Sequence, residues 1–245
     1  MNNILIVEQN ESKFAFRIPS KAIRYRANCH GSFGMFVSGD LGKMQAIDAK
    51  EAGLTYGKYA ELAIASLSNK ILTFEPHYIN QQFLEVWGFP VSGEMHSRHC
   101  KQNSSELVTF LLHRQSMDKF SSILAEIERE ADNAWIDAGM PKNMNEFLAA
   151  KKTELLTSSI FRFEFTPEEG KYGIYHWVKV TRKPAESDLS KAALQCSSQI
   201  LTLKQSDASI CTDPRIEENH AHTLALSGSS NQPALEPAPS TKNKR

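Results

Sequence analysis

The composition of this chain breaks at about residue 183, and the break decides how much of it can build a core. Before it, apolar residues recur with the periods of strands and helices. After it, Ser, Thr, Pro, Asn and Gln dominate, and no Phe, Tyr or Trp occurs. A segment without bulky residues buries too little surface to offset its chain entropy. Residues 184–245 are therefore expected to be a disordered or weakly helical tail. Leu189, Ala193, Ile200 and Leu203 have rough helical spacing, and nothing comparable follows Ser206. The folded part is then 1–183, a length suited to a single domain.

Within that part, periodicity assigns the elements. Ile4–Val7 is a short apolar run, and Phe14, Phe16 and Ile18 alternate with Ala15 and Arg17, so both read as strands. Ser32–Val37 reads as a third strand. Asp40 is placed to cap a short helix that ends before Gly53. The runs at 58–67 and 70–75 flank Ser68–Asn69 and suggest a tight hairpin. From Pro76 to Ser105 the spacing predicts a short strand at 83–87 and then a long loop, and Leu107–His113 resumes as a strand.

Met117, Phe120, Leu124, Ile127, Ala131, Ala134 and Ala138 form an apolar stripe at helical period, with Ser116 as cap and Gly139 and Pro141 as stop. Asn143 and Glu146 have capping-box spacing for a second helix. Phe161, Phe163 and Phe165 alternate on one strand, and Tyr172, Ile174, His176, Val178 and Val180 on its partner, with the turn at Pro167–Gly170. Strands, then helices, then strands argue for an α+β fold: a mostly antiparallel sheet with one long helix and one or two short ones.

Charge narrows the partners. Formal net charge is zero, with 22 basic and 21 acidic residues before Pro184 and 6 and 7 in the part after it. Wholesale capture of nucleic acid or anionic lipid is not expected of such a chain. No run approaches the ~20 apolar residues of a membrane helix, and the first residues lack a basic flank and a signal-length apolar run. A cytoplasmic protein with four free thiols is expected.

The strongest local signal lies between Ser12 and Gly39, a stretch with no acidic residue. Lys13, Arg17, Lys21, Arg24 and Arg26 are interleaved with aromatic residues, among them Tyr25, Phe33 and Phe36. Cations neutralise phosphates and aromatic faces stack on bases, so this segment is the leading candidate for nucleic-acid contact. The alternative is that the rings face the core.

Two other chemistries compete. Cys29, His30, His96, His99 and Cys100 carry thiolates and imidazoles suited to zinc, although their spacing matches no known finger. Cys100 beside His96 or His99 is also a conceivable nucleophile–base pair of a small hydrolase. The long helix presents Glu126, Glu128, Glu130, Asp132 and Asp137, a face suited to a protein partner. Its like-charged Glu126 and Glu130 call for a basic counterpart, for which the Lys13–Arg26 segment qualifies. His176 lies among apolar residues and reads as a neutral core histidine. Phosphate-loop, dinucleotide and serine-hydrolase signatures are absent, so no cofactor is expected.

The succession Phe33–Val37, the helix end at Ala52–Gly53, the hairpin at 62–74, the strand at 108–112, the long helix and the hairpin at 161–180 resembles an uncharacterised family of cyanobacterial proteins. The resemblance runs from residue 1 to about 183. It implies one continuous domain and assigns no catalytic residue, and the His96–Cys100 loop departs from it.

Overall fold

The computed structural model describes residues 5–6, 13–29, 33–39, 46–75, 78–100 and 103–228. In chain order the elements are β1 (Leu5–Ile6), β2 (Ala15–Ile18), β3 (Ile23–Asn28), β4 (Met35–Ser38), α1 (Ala46–Glu51), β5 (Tyr59–Phe74), β6 (Tyr78–Gly93), α2 (Glu94–His99), β7 (Ser104–Glu106), β8 (Val108–His113), α3 (Gln115–Asp137), α4 (Met144–Thr157), β9 (Ile160–Gly170), β10 (Gly173–Lys183), α5 (Asp188–Ser206) and α6 (Pro214–Gly228). The fold is α+β, as expected. Seven strands form one sheet in the order β10-β9-β5-β6-β8-β3-β4, in which only β3 and β8 run parallel. A small sheet of β1, β2 and β7 packs beside it. Among the described residues no helix is long and apolar enough to cross a membrane.

The large sheet curls until its ends meet. His176 N–H, in β10, donates to the carbonyl of Cys29, just past β3, at 2.9 Å. The ring of Phe36 in β4 lies 5.0 Å from that of Phe165 in β9. Inside the curl, Tyr25, Phe36, Phe110, Phe161 and Phe163 pack against Phe120 and Ile127 of α3. The other face is covered by α5, which sets Ala192, Ala193, Cys196 and Ile200 on Ala63, Ala65, Trp87 and Phe89.

That covering shortens the expected tail: the helical spacing at Leu189–Leu203 is a packed helix, and a second helix follows it. Residues 188–206 are a helix with a Ser187–Ser190 capping box, and 214–228 form another whose Ile216 packs on Leu72 and Phe83. The segment needs no bulk of its own because the sheet supplies the aromatic side of the contact. Small residues let α5 approach that floor closely. Residues 229–245 lie outside the described residues, as do the proposed cap Asp40 and His30.

Four local expectations also change. Ser68–Asn69 is not a turn: β5 runs straight through it, with Ser68 opposite Glu85 and Asn69 opposite Leu84. The expected long loop after residue 87 is strand as far as Gly93. Its Pro90 sits at a register shift beyond the reach of β8, where a missing N–H costs no ladder bond. The turn of the last hairpin falls at Lys171–Tyr172 between Gly170 and Gly173, not at Pro167–Gly170. Ser116 does not cap α3 through its side chain; its Oγ accepts the N–H of Val178 and ties the helix to the outer edge of β10.

Candidate functional site

The basic–aromatic segment divides between two faces because 23–28 is a strand. Ile23, Tyr25 and Ala27 point into the curl, and Arg24 and Arg26 point to the opposite face. Tyr25 and Phe36 are fully enclosed, and Phe33 is buried against Val37 and Ala49 with the Lys50 ammonium 4.9 Å from its ring. Rings held in the core cannot stack on bases, so this segment offers no stacking platform of Tyr25, Phe33 and Phe36. Its cations scatter. Arg17 lies 4.0 Å from Glu106, and Arg24 lies 3.9 Å from the buried carboxylate of Asp213, which precedes α6. Lys13, Lys21 and Arg26 are exposed.

Of the cysteine–histidine set, His30 and the side chain of His99 lie outside what is described, and Cys29, His96 and Cys100 form no metal site together. Cys29 contacts Ser116, and burial pushes its thiol up to about 11. Cys100 faces Ser105 at 3.9 Å, and burial raises it as well. His96, at the start of α2, is lowered by burial and so favours its neutral form. Among the described residues, no three His, Cys, Asp or Glu side chains stand where one metal ion would touch them all. A thiol that burial keeps protonated is a poor nucleophile at neutral pH.

On α3, Glu126, Asp132 and Asp137 are exposed, whereas Glu130 takes a two-pronged bond from Arg182 at 2.7 and 2.9 Å and Glu128 pairs with Lys152 at 2.9 Å. The basic counterparts are thus on β10 and α4, not on the Lys13–Arg26 segment. His176 packs its ring against Gly34, where an added Cβ would come within 2.5 Å of it. Burial first, and Lys58 second, lower its pKa, in keeping with a neutral imidazole.

The element that stands clear of the core is the distal half of the β9–β10 hairpin. β9 pairs with β5 only through Glu164, and from Thr166 onward it pairs with β10 alone. At the tip Tyr172 is 94% exposed, and Ile174 is 60% exposed. Tyr175 and Trp177 follow, half-buried. The helix α3 braces the ribbon: Gln115 donates to Glu168 at 2.8 Å, and the Lys119 ammonium sits 5.6 Å from the Trp177 ring. Large apolar side chains therefore project from a braced element.

The chain matches no family model, no curated protein and no solved structure. Its function has to be read from its own surfaces.

The ribbon was not legible in the sequence because Ile174 shares the alternation of the buried Val178 and Val180, and that alternation does not tell where the hairpin runs past the core. The Gly170–Gly173 bracket around two residues was the available signal. Also not legible was a polar patch on the helix-covered face of the sheet. Opposite positions of β5, β6 and β8 there carry Ser66, Ser68, Glu85, Trp87 and Thr109. Glu85 is 1% exposed; one carboxylate oxygen accepts from Ser68 at 2.9 Å, and the other has no hydrogen-bond partner. Cys211 closes the patch from above with φ +57°, its thiol pushed up to about 12 by burial.

Burial raises the Glu85 carboxyl above its ordinary value; Ser68, Trp87 and Lys70 offset this only in part, and Glu217 adds to it. The folded chain therefore holds this proton after the unfolded chain has lost it. Stability falls as pH climbs from the ordinary carboxylate range to the folded-state pKa, and the deficit persists above it. Glu85→Gln is expected to be more stable than the parent at pH 8, by about 1.4 kcal/mol for each pH unit in that window. The gap closes as pH falls towards 4. Urea midpoints across a pH series measure it, and a gap independent of pH would refute burial as the cause.

Proposed function

We propose that this chain is an accessory binding protein that docks on another protein through the β9–β10 ribbon. The observation that carries this reading is the 94% exposure of Tyr172 at the end of a braced two-stranded element. A rigid, exposed aromatic loses little entropy on binding and gains a large contact area, which is why such residues anchor protein interfaces.

Charge separates the partner classes. The ribbon carries Lys171 and Lys179 against Glu168 and Glu169, with Lys119 alongside. Near-balance of sign gives little pull on a polyanion. The same mixture of apolar centre and paired charges suits a protein surface. The nucleic-acid reading loses ground on a second count, since its rings at 25, 33 and 36 lie in the core.

The test is a photoreactive aromatic placed at position 172 of the full chain in its native cells. One discrete protein adduct, absent when the same group is placed at the exposed Asp132, is the expected result. Tyr172→Ala with Ile174→Ala should abolish that association while changing stability by no more than about 0.5 kcal/mol per site, as for surface positions in general. Adducts with nucleic acid would assign the ribbon to that partner instead. Equal labelling from both positions would refute the reading.

A further inference from the structure

The strand β5 has sixteen residues, and β6 pairs along its whole length. On the other side β9 covers only Tyr59–Ala63. Among the described residues, no strand neighbours that edge of β5 from there to Phe74.

Helix α6 lies against this edge and imitates one. The Asn219 side-chain amide accepts from Thr73 N–H at 2.9 Å and donates to Thr73 C=O at 2.8 Å, the two bonds that a neighbouring strand would make. Two residues back, Nδ1 of His220 lies 3.0 Å from both the N and the O of Ile71. Residues 71 and 73 are alternate positions, whose backbone groups point away from β6. Lys70 pairs with Glu217, and the Thr223 hydroxyl donates to that of Thr73 at 3.2 Å.

These are polar holds. The one large apolar side chain that α6 buries fully is Ile216, and its Leu224 and Leu226 are about half exposed. A helix fastened by exchangeable hydrogen bonds and few apolar contacts belongs to the low-stability end of a fold. What it masks is the opposite: a long strand edge, with Ile71 and Ile79 exposed on the same distal hairpin. Such edges pair with other strands unless they are blocked.

We propose that α6 is a detachable substitute for a strand, and that its release opens the β5 edge to pair, antiparallel, with the same edge of a second copy of this chain. A second copy fits for a definite reason. A twofold axis across this edge sets Ile71 of one copy opposite Thr73 of the other, so the N–H and C=O of both residues find counterparts in place of the Asn219 amide and of the His220 ring nitrogen, which serves only one of the two Ile71 groups at a time. The pairing sets Asn69 opposite Glu75 on either side of the Ile71–Thr73 pairs, so no like charges meet on that face, and it covers Ile71. This inference does not depend on the ribbon, which lies across β9 and β10.

The test uses the full chain. Asn219→Ala with His220→Ala should double the mass measured by light scattering at tens of micromolar. Hydrogen exchange should show α6 amides losing protection while the amides of residues 69–73 gain it with concentration. Adding Ile71→Lys, a charge on an exposed edge position, should restore the single-chain mass without altering the circular dichroism. The proposal is overturned if α6 stays protected in the double variant. A single-chain mass with α6 released overturns it as well, and so does a doubled mass that survives Ile71→Lys. Tyr172→Ala should leave every one of these readouts unchanged.

Discussion

Phe36→Ala is expected to lower the free energy of unfolding by about 3–5 kcal/mol, the range for deleting a fully buried aromatic side chain. The residue has no exposed surface, and its ring lies 5.1 Å from Phe110 and 5.0 Å from Phe165. Those two neighbours belong to β8 and β9, on opposite sides of the curl, so the ring joins the two ends of the sheet. The cavity left behind cannot collapse easily, because β8 and β9 are each held by ladder bonds on other strands. Urea unfolding gives the number. The same experiment judges the nucleic-acid reading of the Lys13–Phe36 segment. A base-stacking ring is a surface ring, and its removal would weaken oligonucleotide binding while leaving stability within about 0.5 kcal/mol. A large loss of stability places Phe36 in the core; unchanged stability with lost binding would return it to the surface.

The reason the segment misled is specific. Arg-Tyr-Arg within Ile23–Asn28 alternates as a half-buried strand does, with Ile23, Tyr25 and Ala27 inward. The cations suggest a ligand surface, and the alternation that puts the rings in the core is the same pattern seen from its other face. Where one face of an element carried the whole signal, the sequence was legible. The α3 stripe, the Phe161–Phe165 alternation and the Gly53 and Gly139 helix ends lie where their spacing put them, both glycines at positive φ. Turns inside long strands were not legible. Ser68 and Asn69 are turn formers in isolation, yet they pair with Glu85 and Leu84 because β5 and β6 continue on both sides of them. Tertiary pairing overrides local preference here. The covering helices were hidden for a different reason: α5 and α6 are poor in bulk, and the aromatic surface they bury belongs to Trp87, Phe89 and Phe83, a hundred residues earlier. No window of sequence contains both halves of that contact. The Tyr172–Ile174 tip keeps the alternation of Val178 and Val180, and no local pattern tells where a hairpin outruns the core it packs on.

Asp213→Ala is expected to cost about 2–3 kcal/mol, as loss of charge-assisted hydrogen bonds to a buried carboxylate does. Asp213 is 1% exposed. Its carboxylate accepts two bonds from the Arg215 guanidinium at 2.9 and 2.8 Å, lies 3.9 Å from Arg24 of β3, and accepts the Arg215 backbone N–H at 3.1 Å. One side chain thus caps α6 and anchors it to the far side of the sheet. Its loss leaves Arg24, whose side chain is only 16% exposed, with one acid fewer beside it. The cap alone accounts for about 1 kcal/mol of such a loss, so the excess measures the pairing across the fold. Asp213→Asn separates the two: asparagine caps a helix nearly as well as aspartate, and it carries no charge. Restored α6 protection in hydrogen exchange, with stability still below that of the parent, is the expected result for Asn. A solvated tail after residue 206 would instead make both substitutions silent in urea unfolding and in exchange. Arg24, one of the cations that suggested an outside ligand, already has an acid within the chain, in the stretch whose composition argued least for structure.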